Sequence, residues 1–360
     1  MKLPSFTVRY RRILPVIGTS ITVLAILNTL CWLLMERRLE HTLSQAEALA
    51  RQNGWTTTHA TPHRRGWPIG AWLEVSNPTL LHPKSTQAPY DAGWTGQTLV
   101  LGGGWWSFAG QALLVTLEGR HAARLSGPDG HGTLLGQNIH LRLSPHGLSG
   151  FRAPELRIAL SFPTVEQTLL LHALSGQVLV APHARADATR FGVTAHARDM
   201  TGLTFPFGYA PPLHEISLAL ALSGPATAKT DSFFLPSGYS DLRVQNAAAS
   251  FYSTPDSSRI TVSGRLALPA LTGDLTATLQ HWHELGRQLL SVPAIRSQIP
   301  PAMLPDLEKA TQDTKDKTTG KGRSLTVSFP VLNGRPVVEN ALLFPLLTQK
   351  FSIPTQPVPH

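Results

Sequence analysis

The sequence predicts a mainly β fold: one N-terminal transmembrane helix followed by a large, curved, mostly antiparallel sheet domain with a few short helices. Three observations carry this expectation. Residues 13–35, ILPVIGTSITVLAILNTLCWLLM, run for 23 positions without a charge. From Trp55 onward the apolar pattern changes to short runs that alternate with a period of two, as in strands with one buried and one wet face. Gly and Pro, 29 of each in 360 residues, punctuate those runs and fit strands joined by turns better than a helical bundle.

In chain order, residues 1–12 are a short tail carrying Lys2, Arg9, Arg11 and Arg12. A helix over 13–35 would measure about 34 Å, enough to cross a hydrocarbon core of about 30 Å with some tilt. It exits into ERRLEHTLSQAEALARQNG without an A-x-A cleavage pattern, which points to a retained anchor and away from a signal peptide. Leu39, Leu43, Ala46, Leu49 and Ala50 continue one helical stripe, so residues 36–54 read as a juxtamembrane helix that Gly54 stops. Glu36, Arg37, Arg38 and Glu40 sum to zero against four positive charges on the other flank. By the positive-inside rule residues 1–12 stay in the cytoplasm and the rest is exported. The expected location is a bacterial inner membrane, with residues 55–350 as a periplasmic β-rich domain and 351–360 as a flexible Pro-rich tail.

Within that domain the strand-type runs include WLEVSNPTLL, QTLVLG, QALLVTLEG, NIHLRLS, PELRIALS, QVLVAP, EISLALALSG, RITVSGRLALP, DLTATLQ and SLTVSFPVLNG. Short helices are expected around 163–173 and 281–292, and an exposed loop over 311–324, which lacks apolar side chains. The stretch HRRGWPIGAWLEVSNPTLL, residues 63–81, reads as a turn between two strands. Gly66 permits an unusual φ and Pro68 fixes one, while Trp67 is expected to cover the core beside the turn. Gly66, Trp67 and Pro68 are therefore a structural motif, and Arg64, Arg65 and Trp72 are candidate lipid or membrane contacts.

The net charge of +9, from 31 basic and 22 acidic residues, falls to about +5 beyond the first twelve positions. No basic cluster of the kind that reads nucleic acid is present, so nucleic acid is not an expected partner. The one cysteine, Cys31, lies in the apolar run and excludes a disulfide framework or a thiol-based metal site.

Little in the sequence calls for catalysis. His281 and His283 in HWHE point about 200° apart on a helix and cannot share a metal there; His59 and His63 lie outside any expected helix. LGGGWWSFAG, residues 101–110, lacks the G-x-G-x-x-G spacing and the Lys-Ser/Thr of a phosphate loop. Its glycines are expected to form a wide turn followed by a strand, with Trp105 and Trp106 packing or touching a bilayer surface. GYSDL around Ser240 lacks the second glycine of a nucleophile elbow. The sequence thus predicts no enzyme, no cofactor and no metal.

The order of these features resembles the bacterial domain of unknown function 2125 family. The resemblance rests on the N-terminal helix, the Gly66-Trp67-Pro68 turn, GWTGQTLVL at Trp94, SGRLALPALTGDLTATLQHWHELGRQLL and the closing LTVSFPVLNGRP. It departs in the Trp-Ile around the turn proline, where Phe-type residues are expected, and in a middle third that matches only by rhythm. The resemblance implies a membrane-anchored, strand-rich envelope protein and no particular activity.

Together these readings lead to a single-pass inner-membrane protein in cell-envelope maintenance, its anchor in the lipid bilayer and a lipid or other apolar ligand as candidate cargo. Alternatives are a non-catalytic scaffold that docks an envelope protein through a sheet edge and, last, a periplasmic hydrolase.

Overall fold

The computed structural model describes residues 7–337 apart from 85–89, 111, 128–129, 145–146, 163–164, 182–183, 186–187, 205–209, 225–238, 252–257, 269, 298 and 313–323. The fold is strand-rich and antiparallel, with one long apolar N-terminal helix and few short helices, in the class that the alternation predicts. The chain divides into two compact units, Met1–Leu148 and Ser149–His360.

The first unit opens with α1 (Thr7–Gln52), which runs without a break through the apolar stretch and the amphipathic stripe beyond it. It is long and apolar enough to cross a membrane. Its end is a Schellman cap: Gly54 takes φ +81°, Gly54 N–H donates to the Arg51 carbonyl and Trp55 N–H to the Ala50 carbonyl. Glycine meets this positive φ without a Cβ penalty, so the helix stops there.

β1 (Thr56–Thr58) and β2 (His63–Arg65) come next, then β3 (Gly70–Ser76), β4 (Thr79–His82) and the long β5 (Asp91–Gly104). β4 pairs with the first half of β5 and β3 with the second, so β3 and β4 act as one strand broken at Asn77-Pro78. β1 lies on the outer side of β4, and β2 lies beside β3. A five-residue helix, α2 (Trp105–Ala109), leads into β6 (Leu113–Gly127) and β7 (Gly130–Ser144), which extend the sheet beyond β5.

The core of this unit is a helix laid on a strand. Trp32, Met35, Leu39 and Leu43 form one stripe of α1, and Ala71, Leu73 and Val75 form the inward face of β3 at spacing two. Leu39, Ala71, Leu73 and Val75 are buried and carry the contact.

In the second unit the strands neighbour one another in sequence order: β8 (Gly147–Phe162), β9 (Val165–Val180), β10 (Phe191–Thr201), β11 (Leu213–Ser223), β12 (Asp241–Ser250), β13 (Arg259–Ala267) and β14 (Thr272–Gln280). The helices α3 (Trp282–Ser291), α4 (Pro293–Arg296) and α5 (Leu304–Gln312) intervene before β15 (Leu325–Leu332) pairs with β14 and β16 (Arg335–Pro336) closes a hairpin. α3 places Leu285 and Leu289 against Leu213, Ile216, Phe251, Ile260 and Leu279 of the sheet.

Two local expectations are corrected. Residues 165–173 belong to a strand and not to a helix, because β9 is flanked by β8 and β10 and its backbone groups pair on both sides. The run Leu169–Leu171 fits either period locally, and the cross-strand partners decide it. The glycines of 102–104 form no wide turn: Gly102, Gly103 and Gly104 end β5 and pair with Trp72, Ala71 and Gly70, and helix α2 begins at the very next residue. Close approach explains Gly102, where a Cβ would stand 2.1 Å from the Ala71 carbonyl oxygen. Most of the loop expected at 311–324, and all of the tail 351–360, lie outside the described residues.

Candidate functional site

The candidate site lies in the first unit, where the β2–β3 turn and α2 meet α1. Along α1 the side chains from Thr19 to Leu27 are all exposed; from Asn28 a stripe is covered, through Trp32, Met35, Glu36, Leu39, Glu40 and Leu43. Cover therefore begins inside the apolar stretch, well before its end at Met35.

Residues 66–69 connect β2 to β3. Gly66 has φ +104°, and a Cβ there would stand 1.9 Å from Cε3 of Trp72, whose indole lies across the turn. Both facts require glycine. The Gly66 carbonyl accepts from the N–H groups of Ile69 and Gly70, at 3.0 and 3.1 Å. The Trp67–Pro68 peptide is cis.

Side chains from the helix and from α2 supply donors to the same turn. Asn28 Nδ2 donates to the Pro68 carbonyl at 3.1 Å, and Trp105 Nε1 donates to the same oxygen at 2.8 Å. Trp32 Nε1 donates to the Arg65 carbonyl at 3.4 Å, and Trp105 N–H to the Ile69 carbonyl at 3.4 Å. Trp67 Nε1 donates to Thr29 Oγ1 at 3.2 Å, while the Thr29 hydroxyl donates to the Ala25 carbonyl. The sequence led us to expect Trp67 over the core beside the turn, and the structure corrects this. Trp67 is 54% exposed and leans on α1, because the cover over the turn comes from Trp72.

The outward surface here is apolar: Ile69 is 71% exposed and Trp106 91%. Beside it Cys31, Leu34 and Met35 of α1 and Trp105, Phe108 and Ala109 of α2 line an open apolar groove of about 390 Å³.

Arg64 and Arg65, candidate head-group contacts in the sequence, are both paired. Arg64 grips Glu40 with two hydrogen bonds, 2.8 and 2.9 Å, and Arg65 pairs with Glu74. The Arg64 guanidinium holds the Glu40 carboxyl below its usual range. One helical turn nearer the apolar stretch, Glu36 is fully buried. Neither of its oxygens has a well-formed hydrogen bond, although the amides of Trp72 and Arg65 are near enough to favour its charged form. Burial outweighs them and pushes this carboxyl up to about 7.

Sequence reasoning named the turn, Arg64, Arg65, Trp72, Trp105 and Trp106, and the structure brings all of these to one end of the first unit. It missed the helix residues that hold them, Asn28, Thr29, Trp32, Glu36 and Glu40. One signal was present: Asn28 is the one carboxamide in the 13–35 run.

The histidines lie elsewhere. His281 is the residue before α3, at φ +49°, and its carbonyl accepts from the Ser258 hydroxyl. His283 stacks on Trp282 with ring centroids 4.1 Å apart. His59 pairs with Glu47 at 2.6 Å. Among the described residues no group of three or more His, Cys, Asp or Glu side chains is placed to hold a metal ion. No family model, no curated protein and no solved structure matches this chain.

Proposed function

We propose that the chain is a single-pass protein of the bacterial inner membrane, with residues 1–12 in the cytoplasm and the sheet-rich body in the periplasm. On this reading it serves cell-envelope maintenance as a binding protein and not as an enzyme, and takes a lipid or another apolar ligand. The observation that carries the reading is the bare apolar flank of α1. Ile21, Leu24 and Leu34 are 62%, 69% and 65% exposed, a surface that water disfavours and a bilayer accepts. The basic N-terminal flank supports the orientation, and the apolar groove beside Leu34 supports an apolar ligand.

Three measurements test it, two on detergent-extracted full chain and one on spheroplasts. Intact mass should retain residues 1–35, and protease added to spheroplasts should degrade the body while sparing α1. Mass spectrometry of co-purifying small molecules should then find a lipid class enriched over a control membrane protein. A mature chain starting beyond residue 35, or a body protected in spheroplasts, defeats the anchor and its orientation. Absence of lipid enrichment defeats the ligand.

A further inference from the structure

We infer that the 66–69 turn and α2 form an aromatic wedge that enters the exit leaflet of the bilayer and fixes the depth of the anchor. The inference rests on the membrane-anchor reading above and on the length of the apolar stretch. Among the described side chains of α1 cover begins at Asn28, and the apolar stretch ahead of it, residues 13–27, spans only about 22 Å as a helix, short of a hydrocarbon core of about 30 Å. The helix cannot slide to gain length at its other end, because Arg9, Arg11 and Arg12 precede residue 13. About five more residues must lie in hydrocarbon, which places Asn28–Trp32 there. These are the residues on which the turn is seated: Asn28 bonds the Pro68 carbonyl, Thr29 the Trp67 indole, and Trp32 the Arg65 carbonyl. Whatever depth they take, the turn shares.

Irregular backbone survives at such depth only if its polar groups are satisfied within the protein. Here four carbonyls, three within the turn and that of Arg65 before it, meet that demand. The carbonyls of Arg65, Gly66, Pro68 and Ile69 all accept protein donors, three of them from indole or carboxamide side chains or from an indole-bearing residue's amide. Pro68 has no N–H to satisfy. In water, these carbonyls would need no such investment of side chains.

The outward side chains fit the same environment. Ile69 and Trp106 are among the most exposed large apolar residues of the unit, more so than Leu30 and Leu34 of the bare helix flank. Trp is favoured at the boundary between head groups and acyl chains, where its ring is in apolar surroundings and its N–H can reach polar groups. The charged pair Arg64–Glu40 lies further along α1, on the side away from the bilayer centre. Apolar wedge and charged collar thus succeed one another along the helix in the order in which a bilayer edge would sort them.

The test uses the full chain with Cys31→Ala, which removes the single native cysteine, reconstituted in nanodiscs of phosphatidylethanolamine and phosphatidylglycerol. A nitroxide is attached at Ile69→Cys, Trp106→Cys, Leu27→Cys (bare flank) or Thr95→Cys (exposed on β5), and collisions with oxygen and with a water-soluble nickel chelate are compared. The wedge predicts that positions 69 and 106 show an oxygen-to-nickel ratio several-fold above that at 95 and close to that at 27. Water-like values at 69 or 106 with a lipid-like value at 27 overturn the wedge and leave the anchor standing. A water-like value at 27 overturns the anchor and the wedge together.

Discussion

The indole of Trp72 occupies the space that any side chain at Gly66 would need, with Cε3 only 1.9 Å from where its Cβ would stand. The turn is therefore held by a glycine for two separable reasons, its φ of +104° and this contact. Gly66→Val should lose about 2 to 5 kcal/mol, from backbone strain of about 1–3 kcal/mol and overpacking of similar size. Gly66→Ala combined with Trp72→Leu should lose less than the sum of the two single losses, since the clash goes while the φ strain stays. Denaturation of the full chain in detergent measures both. Equal stability of Gly66→Val and the parent would show that the indole and the turn do not share this space.

Trp67→Ala should be milder than truncating a core tryptophan. A fully buried Trp loses about 3–5 kcal/mol on truncation, but this ring is 54% exposed and its one described hydrogen bond runs to Thr29. We expect about 1 kcal/mol in detergent, and a similar loss for Thr29→Val if the indole bond is the larger part. A loss of 3 kcal/mol or more in Trp67→Ala would place the ring in the core after all.

The two helical and strand periods made most of the fold legible. The alternating runs fall on β3 through β9, β11 and β13 through β15, and the leucine stripe beyond residue 36 falls on the continuing α1. β10, FGVTAHARDMT, and β12, DLRVQNAAAS, were not legible, because alanines and polar residues give them little β signal and their neighbours on both sides hold them extended. The residues of the candidate turn were legible from Gly and Pro chemistry. Its partners on α1 were not, since Arg64 and Glu40 are 24 positions apart and nothing local relates them.

Ser258 should matter more than a lone serine suggests. It is buried, its hydroxyl donates to the His281 carbonyl at 2.7 Å, and it accepts from Leu285 N–H at 3.1 Å. It thereby caps α3, whose own N-cap residue His281 makes no side-chain capping bond to the helix. Ser258→Ala should cost about 1–3 kcal/mol, the range for losing a cap and leaving a buried amide without its acceptor. Ser258→Thr, which keeps the hydroxyl, should cost less if the added methyl fits. Chemical denaturation distinguishes them, and an alanine variant as stable as the parent would remove the cap from the account.

Glu36 gives the chain a pH dependence of defined sign. Its carboxyl, at about 7 in the fold against 4.5 ordinarily, keeps its proton between those values while the unfolded chain has released it. The contribution is therefore fully present below pH 4.5 and is lost as pH rises through 7, by about 3 kcal/mol in total. The His59 imidazole, raised by its bond to the Ala60 carbonyl, acts in the same sense, while Glu40, His121 and Asp241, whose carboxyl Arg265 holds low, act in the opposite one. The Glu40 carboxyl is held low by Arg64, so its contribution is lost as pH falls below 4.5. Burial pushes the His121 imidazole down, so its contribution is present above 6.5 and is lost as pH falls below that. All of these are shared by the parent and Glu36→Gln, and subtracting one profile from the other isolates Glu36. Glu36→Gln should come nearest the parent at pH 5, where most of the contribution remains, and should exceed it by a margin that grows up to about pH 7 and levels off above it. Melts of both proteins across pH 5–8 in the same detergent test this. Parallel profiles would mean that Glu36 is charged throughout, with a counter-ion or water reaching it that its burial against β3 does not lead us to expect.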